Sequence, residues 1–395
     1  MSAVRELART LVREGIEMVT PESASDYWRI WYYVLEAAGL AVQLVNASQA
    51  RNLPGRPRTD RLDAMWLARL TEKGLLRPSF VPPPEIRELR DYTRARTHLT
   101  QDRTRCWQRL EKLLEGALIK VSSVASKLTT VSARDMIEAM IRGERGPQVL
   151  AALARGRMKA RHGALAGALA GMSGDHHGEL ARMLLDQIDF PGARIARLTT
   201  RITGLTAAIP AAWGTDADGS TGPGAGTGPD DPVLPAVQRL DEIPGISAEL
   251  ACSIIAGTGL DMTRFPAAAH LVSWAGLCPR TIQSGPGKRA AGTGQGDTCL
   301  RCYLGQAASG AARTSTFLGE RFGRIARRRG RARAQAAIAR SLLVIIWHLL
   351  ADPQARFTDP GPDYYATRTD KNRKARSHIR QLQALGYTVT LTQAA

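Results

Sequence analysis

Apolar residues alternate between helical spacing and short continuous runs over the N-terminal part of the chain. Spacings of three and four predict a helix over residues 2–15, and the run at 16–19 predicts a short strand. A second helix, at about 25–38, precedes another strand at 41–45. After a loop rich in Pro and Gly, a third helix begins with Thr59 as its N-cap residue. This alternation predicts an α/β fold.

Two long amphipathic helices follow, over residues 85–114 and 179–208, with shorter helices between them. The pair predicts an antiparallel helical hairpin or a coiled coil, and an ordinary helical bundle fits the same pattern. The first of these helices has a charged face, which we expect to be its outer face. Its arginines are Arg87, Arg90, Arg94, Arg96, Arg103, Arg105 and Arg109.

A segment rich in Gly, Pro, Asp, Ser and Thr, residues 214–231, predicts a flexible linker and a domain boundary. Beyond it, a turn at Gly245 precedes an apolar helix that starts at Ala248. This arrangement resembles the helix-hairpin-helix motif, in which the turn presents backbone N–H groups to a DNA phosphate. A tight helix–helix turn without a ligand fits the same residues equally well.

The C-terminal part contains a Gly-rich stretch, an apolar helix at 336–350 and a short alternating strand at 387–391. The whole pattern predicts α/β structure followed by mainly α structure. We divide the chain into an α/β domain (1–81), a helical or coiled-coil region (82–210), a linker (211–232), a mostly helical domain (233–350) and a basic tail (351–395).

The chain is strongly basic, with 54 Lys and Arg against 36 Asp and Glu and a net charge of +18. This excess indicates a polyanionic partner, of which nucleic acid is the first candidate and an anionic membrane surface the rival. Residues 311–380 hold sixteen Lys and Arg but five Asp and Glu, which favours a nucleic-acid-binding face there. The arginines at its centre are Arg324, Arg327, Arg328, Arg329, Arg331 and Arg333.

No segment reaches the apolar length that a membrane span needs, since the longest run, 342–350, is interrupted by Trp347 and His348. The first residues form a charged helix rather than a signal peptide. We therefore expect a soluble cytoplasmic protein, associated with the nucleoid and without a membrane partner.

Five cysteines, an odd number in a chain without a signal peptide, favour free thiols. Cys299 and Cys302 have the spacing of metal ligands, although no second pair follows them. A zinc site that includes Cys278 or His270 is therefore left open.

Three carboxylates carry the candidate chemistry. Asp60 and Asp63 are three residues apart in a helical pattern, so both leave the same helix face. Glu22 follows the short apolar strand. Carboxylates from a strand end and a helix face suit divalent metal ions, and in a basic chain such a site indicates phosphodiester chemistry.

Several segments together resemble one family, the insertion-sequence transposases of the IS-one-ten group. The resemblance covers nearly the whole chain in order. It is carried by Pro21-Glu22, Ser25-Asp26-Tyr27-Trp28, Leu44-Val45-Asn46-Ala47, Asn52-Leu53-Pro54-Gly55-Arg56, Thr59-Asp60-Arg61-Leu62-Asp63-Ala64, Leu76-Arg77-Pro78-Ser79-Phe80-Val81-Pro82-Pro83, Ile243-Pro244-Gly245-Ile246, Ser273-Trp274-Ala275-Gly276-Leu277-Cys278-Pro279, Ser284-Gly285 and Leu385-Gly386-Tyr387-Thr388-Val389-Thr390.

The resemblance implies a RuvC-like DEDD domain, a coiled-coil insert and a C-terminal transposase domain that bears a serine nucleophile. Glu22, Asp60 and Asp63 correspond to the second, third and fourth acidic residues, which bind Mg²⁺, and Ser284 corresponds to the serine. The resemblance also implies recombination guided by a structured RNA that pairs with donor and target DNA, and dimers that assemble into tetramers.

The residues around Ser284 suit this role. Gly285 and Gly287 allow a phosphate to approach closely, and Lys288 and Arg289 can neutralise the charge that develops on it. A Ser-Gly pair in a loop, taken alone, is usually a turn.

Two departures from the family pattern lead to the alternatives. The family's first acidic residue lies in a Gly-x-Asp-Val type segment that this sequence does not contain, so we expect an incomplete RuvC/RNase H-like domain with three of four acidic ligands. A Gly-rich stretch, residues 291–297, replaces a basic turn. The alternative to an active transposase is therefore a truncated, catalytically inactive remnant that only binds nucleic acid. A junction-resolving nuclease gives Ser284 no role, and a structural coiled-coil protein leaves the charge concentration unexplained.

Overall fold

The computed structural model describes residues 1–23, 26–47, 55, 59–125, 127–213, 234–284, 287–294, 296–368 and 371–390, with side chains except at 280–291, 293, 366 and 371–374. It is 68% helical, which agrees with a fold of α/β plus mainly α structure. The chain forms two compact units, Met1–Pro83 and Pro84–Ala395.

The first unit combines short helices with two narrow parallel ladders. In chain order its elements are α1 (Ser2–Arg13), β1 (Met18–Val19), β2 (Glu22–Ser23), α2 (Trp28–Ala37), β3 (Ala41–Val42), β4 (Val45–Asn46) and α3 (Asp60–Glu72). Strand β1 pairs with β3 and strand β2 pairs with β4, both in parallel. Thr59 occupies the N-cap position of α3, as predicted, but its side chain makes no capping hydrogen bond.

The two ladders form one interrupted pair of strands. Gln43 donates its backbone N–H to the carbonyl of Val19 at 2.9 Å, and Val45 donates to the carbonyl of Pro21 at 3.0 Å. Pro21 has no N–H of its own, so it breaks the regular ladder without ending the pairing. The prediction that Glu22 follows a strand of residues 16–19 is therefore corrected: Glu22 lies inside the strand pair, as the first residue of β2.

The second unit is helical apart from one hairpin. Its elements are α4 (Pro84–Gly116), α5 (Val131–Ile141), α6 (Pro147–Ala152), α7 (His162–Leu169), α8 (Asp175–Ala207), α9 (Ala236–Asp241), α10 (Ala248–Thr258), α11 (Ala268–Trp274), β5 (Pro279–Ser284), β6 (Gly287–Thr293), α12 (Thr298–Ala311), α13 (Phe317–Arg329), α14 (Arg331–Ala351), α15 (Tyr364–Thr367) and α16 (Lys371–Ala384).

The long helices α4 and α8, of 33 residues each, confirm the predicted antiparallel hairpin. Near one end Glu88 pairs with Arg201 at 3.5 Å, and farther along Cys106 contacts Gln187. Sequence numbers thus rise along one helix and fall along the other. Whether the pair supercoils stays a prediction.

The helical hairpin of α4 and α8 joins two helical regions of the second unit. At one end, helices α5, α6 and α7 pack on α4 and α8 around a core that includes Leu110, Met136, Leu165 and Leu185; we call residues 106–188 the distal helical region. At the other end, α4 contacts α10, and residues 234–351 form the C-terminal region. Its core side chains include Leu240, Ile254, Leu304, Leu342 and Ile346, each fully buried.

The charged face of α4 is not wholly an outer face, which corrects the prediction. Arg90 donates to the carbonyls of Ala256 and Gly257 at 2.9 and 2.7 Å. Arg94 pairs with Asp297 at 2.8 Å, and Arg96 pairs with Glu249. These arginines fasten the long hairpin to the C-terminal region, because helix ends and carboxylates there need donors.

Helix α14 is long and apolar enough, by length and composition, to cross a membrane. The prediction that no segment reaches that length overlooked it, because only the run 342–350 was counted. Residues Ile338, Leu342, Leu343 and Ile346 of this helix are fully buried inside the C-terminal region. Packing against neighbouring helices thus accounts for its apolar composition.

Two further predictions concern the ends of segments. The predicted strand at 387–391 is wrong for residues 387–390, which form no strand. The predicted linker 211–232 falls outside the described residues except for its first three, which end the helical structure after α8.

Candidate functional site

Packing in the first unit directs two of the predicted carboxylates toward the same place. Glu22 is the register partner of Val45, and paired residues of a parallel ladder present their side chains on one face. Val45 packs with Leu67 of α3 in a small core. Asp63 precedes Leu67 by about one turn on the same face of α3. Glu22 and Asp63 therefore approach the same end of the strand–helix contact.

A second contact fixes the direction of α3. Thr71, near the C-terminal end of α3, donates a hydrogen bond to the hydroxyl of Thr20 at 2.9 Å. Because the C-terminal end of the helix lies beside residue 20, its N-terminal end extends toward the residues that follow along the strand. The N-terminal turn of α3 carries Asp60 and Asp63.

The three carboxylates differ in exposure. Asp60 is exposed, whereas Glu22 and Asp63 are half-buried. Within the described ranges, no group of three or more His, Cys, Asp or Glu side chains is gathered closely enough to hold a metal ion. The donor chemistry suits Mg²⁺, but the three side chains do not form one ligand group.

Ser284 is the last residue of β5 and lies in the second unit. In the β5–β6 hairpin it is paired with Gly287, and its neighbour Gln283 is paired with Lys288. Arg289 is paired with Ile282, the residue that precedes Gln283 in β5. The hairpin thus brings the backbone of the two predicted basic residues beside that of Ser284.

The hairpin is held to helices at its far end. Asp297 caps α12 by accepting from the N–H of Leu300 at 2.9 Å, and it also pairs with Arg94. Arg301 donates to the carbonyl of Gly294 at 3.2 Å. The predicted mostly helical C-terminal domain did not include this hairpin, because residues 279–284 contain one large apolar residue, Ile282, and show no clear alternation.

Gly245 does not sit in an open turn. Its φ of +90° is a left-handed conformation, and a Cβ atom there would overlap the backbone O of Ala307 and N of Ala311. The turn between α9 and α10 is therefore pressed against α12 and requires glycine for that approach. The predicted role in phosphate binding remains untested, and close packing explains this glycine independently.

The six predicted arginines meet at the junction of α13 and α14. Arg327, Arg328 and Arg329 form the last turn of α13, and Arg331 and Arg333 lie in the first turn of α14. Gly330, with φ of +83°, ends one helix and begins the next. All six arginines are exposed, and we call them the arginine cluster.

The cluster has few internal partners. Arg327 pairs with Glu320 at 3.4 Å. Arg324 lies over the ring of Tyr365, 4.1 Å from its centre. Among the described residues, the other four arginines form no ion pair or hydrogen bond through their side chains. The cluster thus presents several uncompensated positive charges to solvent.

The two halves of the cluster differ energetically. Arginines at the C-terminal end of α13 interact favourably with the helix dipole, so helix stability alone explains them. Arg331 and Arg333 stand at the N-terminal end of α14, where the dipole repels cations. This end of α14 also has no side-chain cap, so no N-cap side chain satisfies its first N–H groups. This helix end is therefore one that a bound anion would stabilise.

An aromatic group lies beside the cluster. Tyr365 stacks on Phe317 with ring centres 5.4 Å apart, and Tyr364 meets Phe317 edge to face at 4.8 Å. Arg321 donates to the hydroxyl of Tyr365 at 2.8 Å. Both tyrosines are half-buried, so they position the segment after α14 against α13.

All five cysteines are free thiols. Burial raises the pKa of the Cys299 thiol, and the charge of Asp297 raises it further despite Arg94 nearby. A metal ligand must lose its proton, so these surroundings oppose ligation by Cys299.

Two models of transposase families match the chain, one in its N-terminal part and one in its C-terminal part. A transposase family model of the DEDD IS110 type matches residues 2–119, and the model described as Transposase IS116/IS110/IS902 family matches residues 237–323. Together they cover just over half of the chain. A search of curated proteins finds no match.

Proposed function

The chain belongs to the IS116/IS110/IS902 family of insertion-sequence transposases, and from this premise we propose that it cuts and rejoins DNA with Ser284 as its nucleophile. Transposases act on DNA, so the family assignment already supplies the polyanionic partner that the net charge of +18 requires. The family also suggests a soluble cytoplasmic protein. A nucleoid association is part of the proposal.

The DNA-binding part of the proposal is supported most directly by the N-terminal end of α14. A phosphate at this end would accept from the uncapped N–H groups and would neutralise Arg331 and Arg333. These arginines oppose the helix dipole in the absence of an anion. A nucleic-acid phosphate thus resolves an unfavourable arrangement, and a solvated surface does not.

In the proposed reaction, the Ser284 hydroxyl oxygen attacks the scissile phosphorus and forms a phosphoserine linkage. The bond from phosphorus to the leaving sugar oxygen breaks, and the serine proton passes to solvent or to that oxygen. A hydroxyl of the second DNA end then attacks the phosphoserine and releases the serine, so no external energy source is required. Lys288 and Arg289, paired across the hairpin beside Ser284, are proposed to neutralise the charge on the phosphate.

We propose that Glu22, Asp60 and Asp63 contribute carboxylate oxygens to Mg²⁺. DEDD domains of the RuvC-like type generally use a divalent metal. Such an ion, held by these carboxylates, would polarise the phosphate and stabilise the leaving oxygen. Glu22 and Asp63 are directed toward one end of the same strand–helix contact, which supports this pair most strongly.

A structured guide RNA and assembly into dimers or tetramers complete the proposal. Both come from the family resemblance. The six exposed arginines of the cluster are compatible with an RNA as well as a DNA partner, since both present phosphates.

The serine is tested by Ser284→Ala in a DNA-cleavage and strand-exchange assay with labelled DNA, Mg²⁺ and the candidate guide RNA. The expected result is loss of product and of the covalent protein–DNA species, with DNA binding retained. The matched control is Ser132→Ala. Ser132 is buried and accepts from the N–H of Arg155 at 2.9 Å, so its loss should lower stability while activity persists. Retained strand exchange in Ser284→Ala would exclude the serine.

A nucleic-acid-binding protein without cleavage activity is the second candidate. It is favoured by the finding that the described carboxylates do not form a group of three. Calorimetry with Mg²⁺ on the native chain and on Asp63→Asn separates the two candidates. Heat of binding that disappears in the variant supports the enzyme, whereas no binding and no cleavage alongside intact DNA binding supports the second candidate.

A further inference from the structure

An open groove runs between α12 and α14 in the C-terminal region. Its volume is ≈ 890 Å³. We propose that this groove holds a single strand of nucleic acid, an inference that rests on the proposed function and assigns it a second contact surface.

The charges around the groove match a phosphate backbone. Arg301 and Arg313 line it, and none of the described residues that line it is Asp or Glu. The two arginines are twelve residues apart along α12 and its end, a span of about 18 Å at the rise of an α-helix. At about 3.4 Å per nucleotide, several phosphates would lie between them.

The floor of the groove is built for close approach and is held rigid. Gly305 and Ala336 line it without bulky side chains. Gln335 donates to the carbonyl of Gly305 at 2.9 Å and to the hydroxyl of Ser309 at 3.0 Å, which ties α14 to α12. A ligand would therefore enter a groove that already exists, with little ordering of side chains to oppose binding.

The size of the groove favours a single strand over a duplex. Its volume of ≈ 890 Å³ lies within the range of sites that hold small ligands. Such a volume suits a few nucleotides of one strand and not a whole duplex, whose major groove alone is about 12 Å wide.

The groove is continuous with the arginine cluster. Ala332 lines the groove, and its neighbours in the chain are Arg331 and Arg333. A strand that leaves the groove at this end would meet the uncapped N-terminal end of α14. The groove and the cluster would then contact one nucleic-acid molecule.

Cys302 provides a reporter, because its half-buried thiol lines the groove. Cys299 is the internal control, since it lies on α12 beside Arg94 of α4 and does not line the groove. The experiment measures the alkylation rate of each thiol by iodoacetamide, with peptide mass spectrometry, in the full chain. A twelve-nucleotide oligothymidylate and a duplex of equal length are the probes, and fluorescence anisotropy measures binding of each.

The expected result is that saturating single strand slows alkylation of Cys302 about tenfold or more and leaves Cys299 unchanged, while the duplex protects Cys302 less. Arg313→Gln should weaken single-strand binding about tenfold and lower the salt dependence by about one phosphate contact. Arg109→Gln, an exposed arginine of α4 in the distal helical region, removes the same charge and should change binding less than about twofold.

Each contrary outcome has a distinct meaning. Binding without protection of Cys302 overturns the groove and leaves the proposed function standing. Equal protection by the duplex overturns the assignment to a single strand. Absence of binding by either probe overturns both the groove and nucleic-acid binding by the chain.

Discussion

Arg134, Arg145, Arg155 and Arg182 of the distal helical region are paired with carboxylates, whereas among the described residues one arginine of the arginine cluster is. In the distal region Arg134 pairs with Glu138 at 2.9 Å and with Asp189 at 2.6 Å. Arg155 pairs with Asp135 at 2.6 Å. In the cluster, Glu320 is the carboxylate that pairs with an arginine among the described residues. Paired arginines therefore serve stability in the distal helical region, and the cluster leaves charge available for a ligand.

Electrostatics at single sites support this contrast. A hydrogen bond to Asp189 raises the pKa of Arg134, and Glu138 adds to the effect against the opposing influence of burial. The folded structure thus favours the charged form of this arginine. Composition alone treats both regions as basic helices, so the difference lies in where the carboxylates are placed.

The largest expected effect is a loss of stability at a tightly packed turn of the C-terminal region, compared with a loosely packed turn of the distal helical region. Gly245→Ala should destabilise the protein by about 4 kcal/mol, because a Cβ would strike the backbone of α12 and the φ is positive. Gly143, with φ of +97° in the distal helical region, has nothing within 4 Å of such a Cβ. Gly143→Ala should therefore cost only about 1 kcal/mol. Thermal and urea unfolding measure both.

Equal losses for the two glycine variants would contradict the close packing at Gly245. The affinity of the folded Gly245→Ala variant for DNA tests the role of the turn in a second way. If a folded fraction of Gly245→Ala binds DNA normally, the turn contributes packing and no phosphate contact.

The next effect concerns binding. Arg331→Gln with Arg333→Gln should weaken DNA binding about 100-fold, since each loses a charged contact with phosphate. The same double variant should leave stability unchanged or raise it by up to about 1 kcal/mol per residue, because cations leave a helix N-terminus. Anisotropy titration and thermal unfolding give the two readouts.

The matched control is Arg328→Gln with Arg329→Gln, at the C-terminal end of α13. It removes the same charge but also removes favourable dipole interactions, so stability should fall slightly. A double variant of Arg331 and Arg333 that unfolds more easily would show that these arginines are structural after all.

Helices with strong periodicity could be predicted from the sequence, and places where two chain segments meet could not. The long helices α4 and α8 appear within a few residues of the predicted bounds, because each has an uninterrupted apolar stripe. The strand at 387–390 is absent, since alternation alone provides no partner strand. Arg90 was expected on the outer face, and only the folded chain brings the carbonyl of Ala256 to it.

For the candidate site, residue type could be predicted and geometry could not. Spacing placed Asp60 and Asp63 on one helix face, and α3 confirms the helix. The position of Glu22 depends on its register with Val45, which no local pattern encodes. The cluster was recognised by charge, but the break at Gly330 that creates an uncapped helix end is what distinguishes its two halves.

A third prediction compares the loss of a carboxylate in the distal helical region with the loss of a carboxylate beside the arginine cluster. Glu138 accepts from Arg134 and pairs with Arg182, so Glu138→Gln should destabilise the distal helical region by about 2 kcal/mol. Nucleic-acid binding should not change. Glu320→Gln should do the reverse, with little loss of stability and somewhat tighter DNA binding, because Arg327 loses its partner. Urea unfolding and anisotropy titration compare the two variants, and reversed outcomes would refute the contrast.

The smallest expected effect concerns the ion pair of Glu242 and Arg356 in the second unit. Burial by itself would raise the pKa of Glu242, but hydrogen bonds from Arg356 and from the N–H of Phe357 outweigh it and lower the pKa overall. Because the folded pKa lies below its ordinary value of 4.5, the carboxylate stabilises the fold fully above about pH 4.5 and loses this contribution as the pH falls through the folded pKa.

Glu242→Gln should therefore cost about 1 kcal/mol at pH 7, and the difference from the native chain should shrink as the pH falls below 4.5. Urea unfolding at pH 7 and between pH 3 and 4.5 measures it. Arg356→Gln should leave DNA binding within about twofold of the native value, although it removes one charge from the same basic part of the chain. A loss as large as that of Arg331→Gln with Arg333→Gln would mean that net charge, and not freedom from carboxylate partners, determines binding.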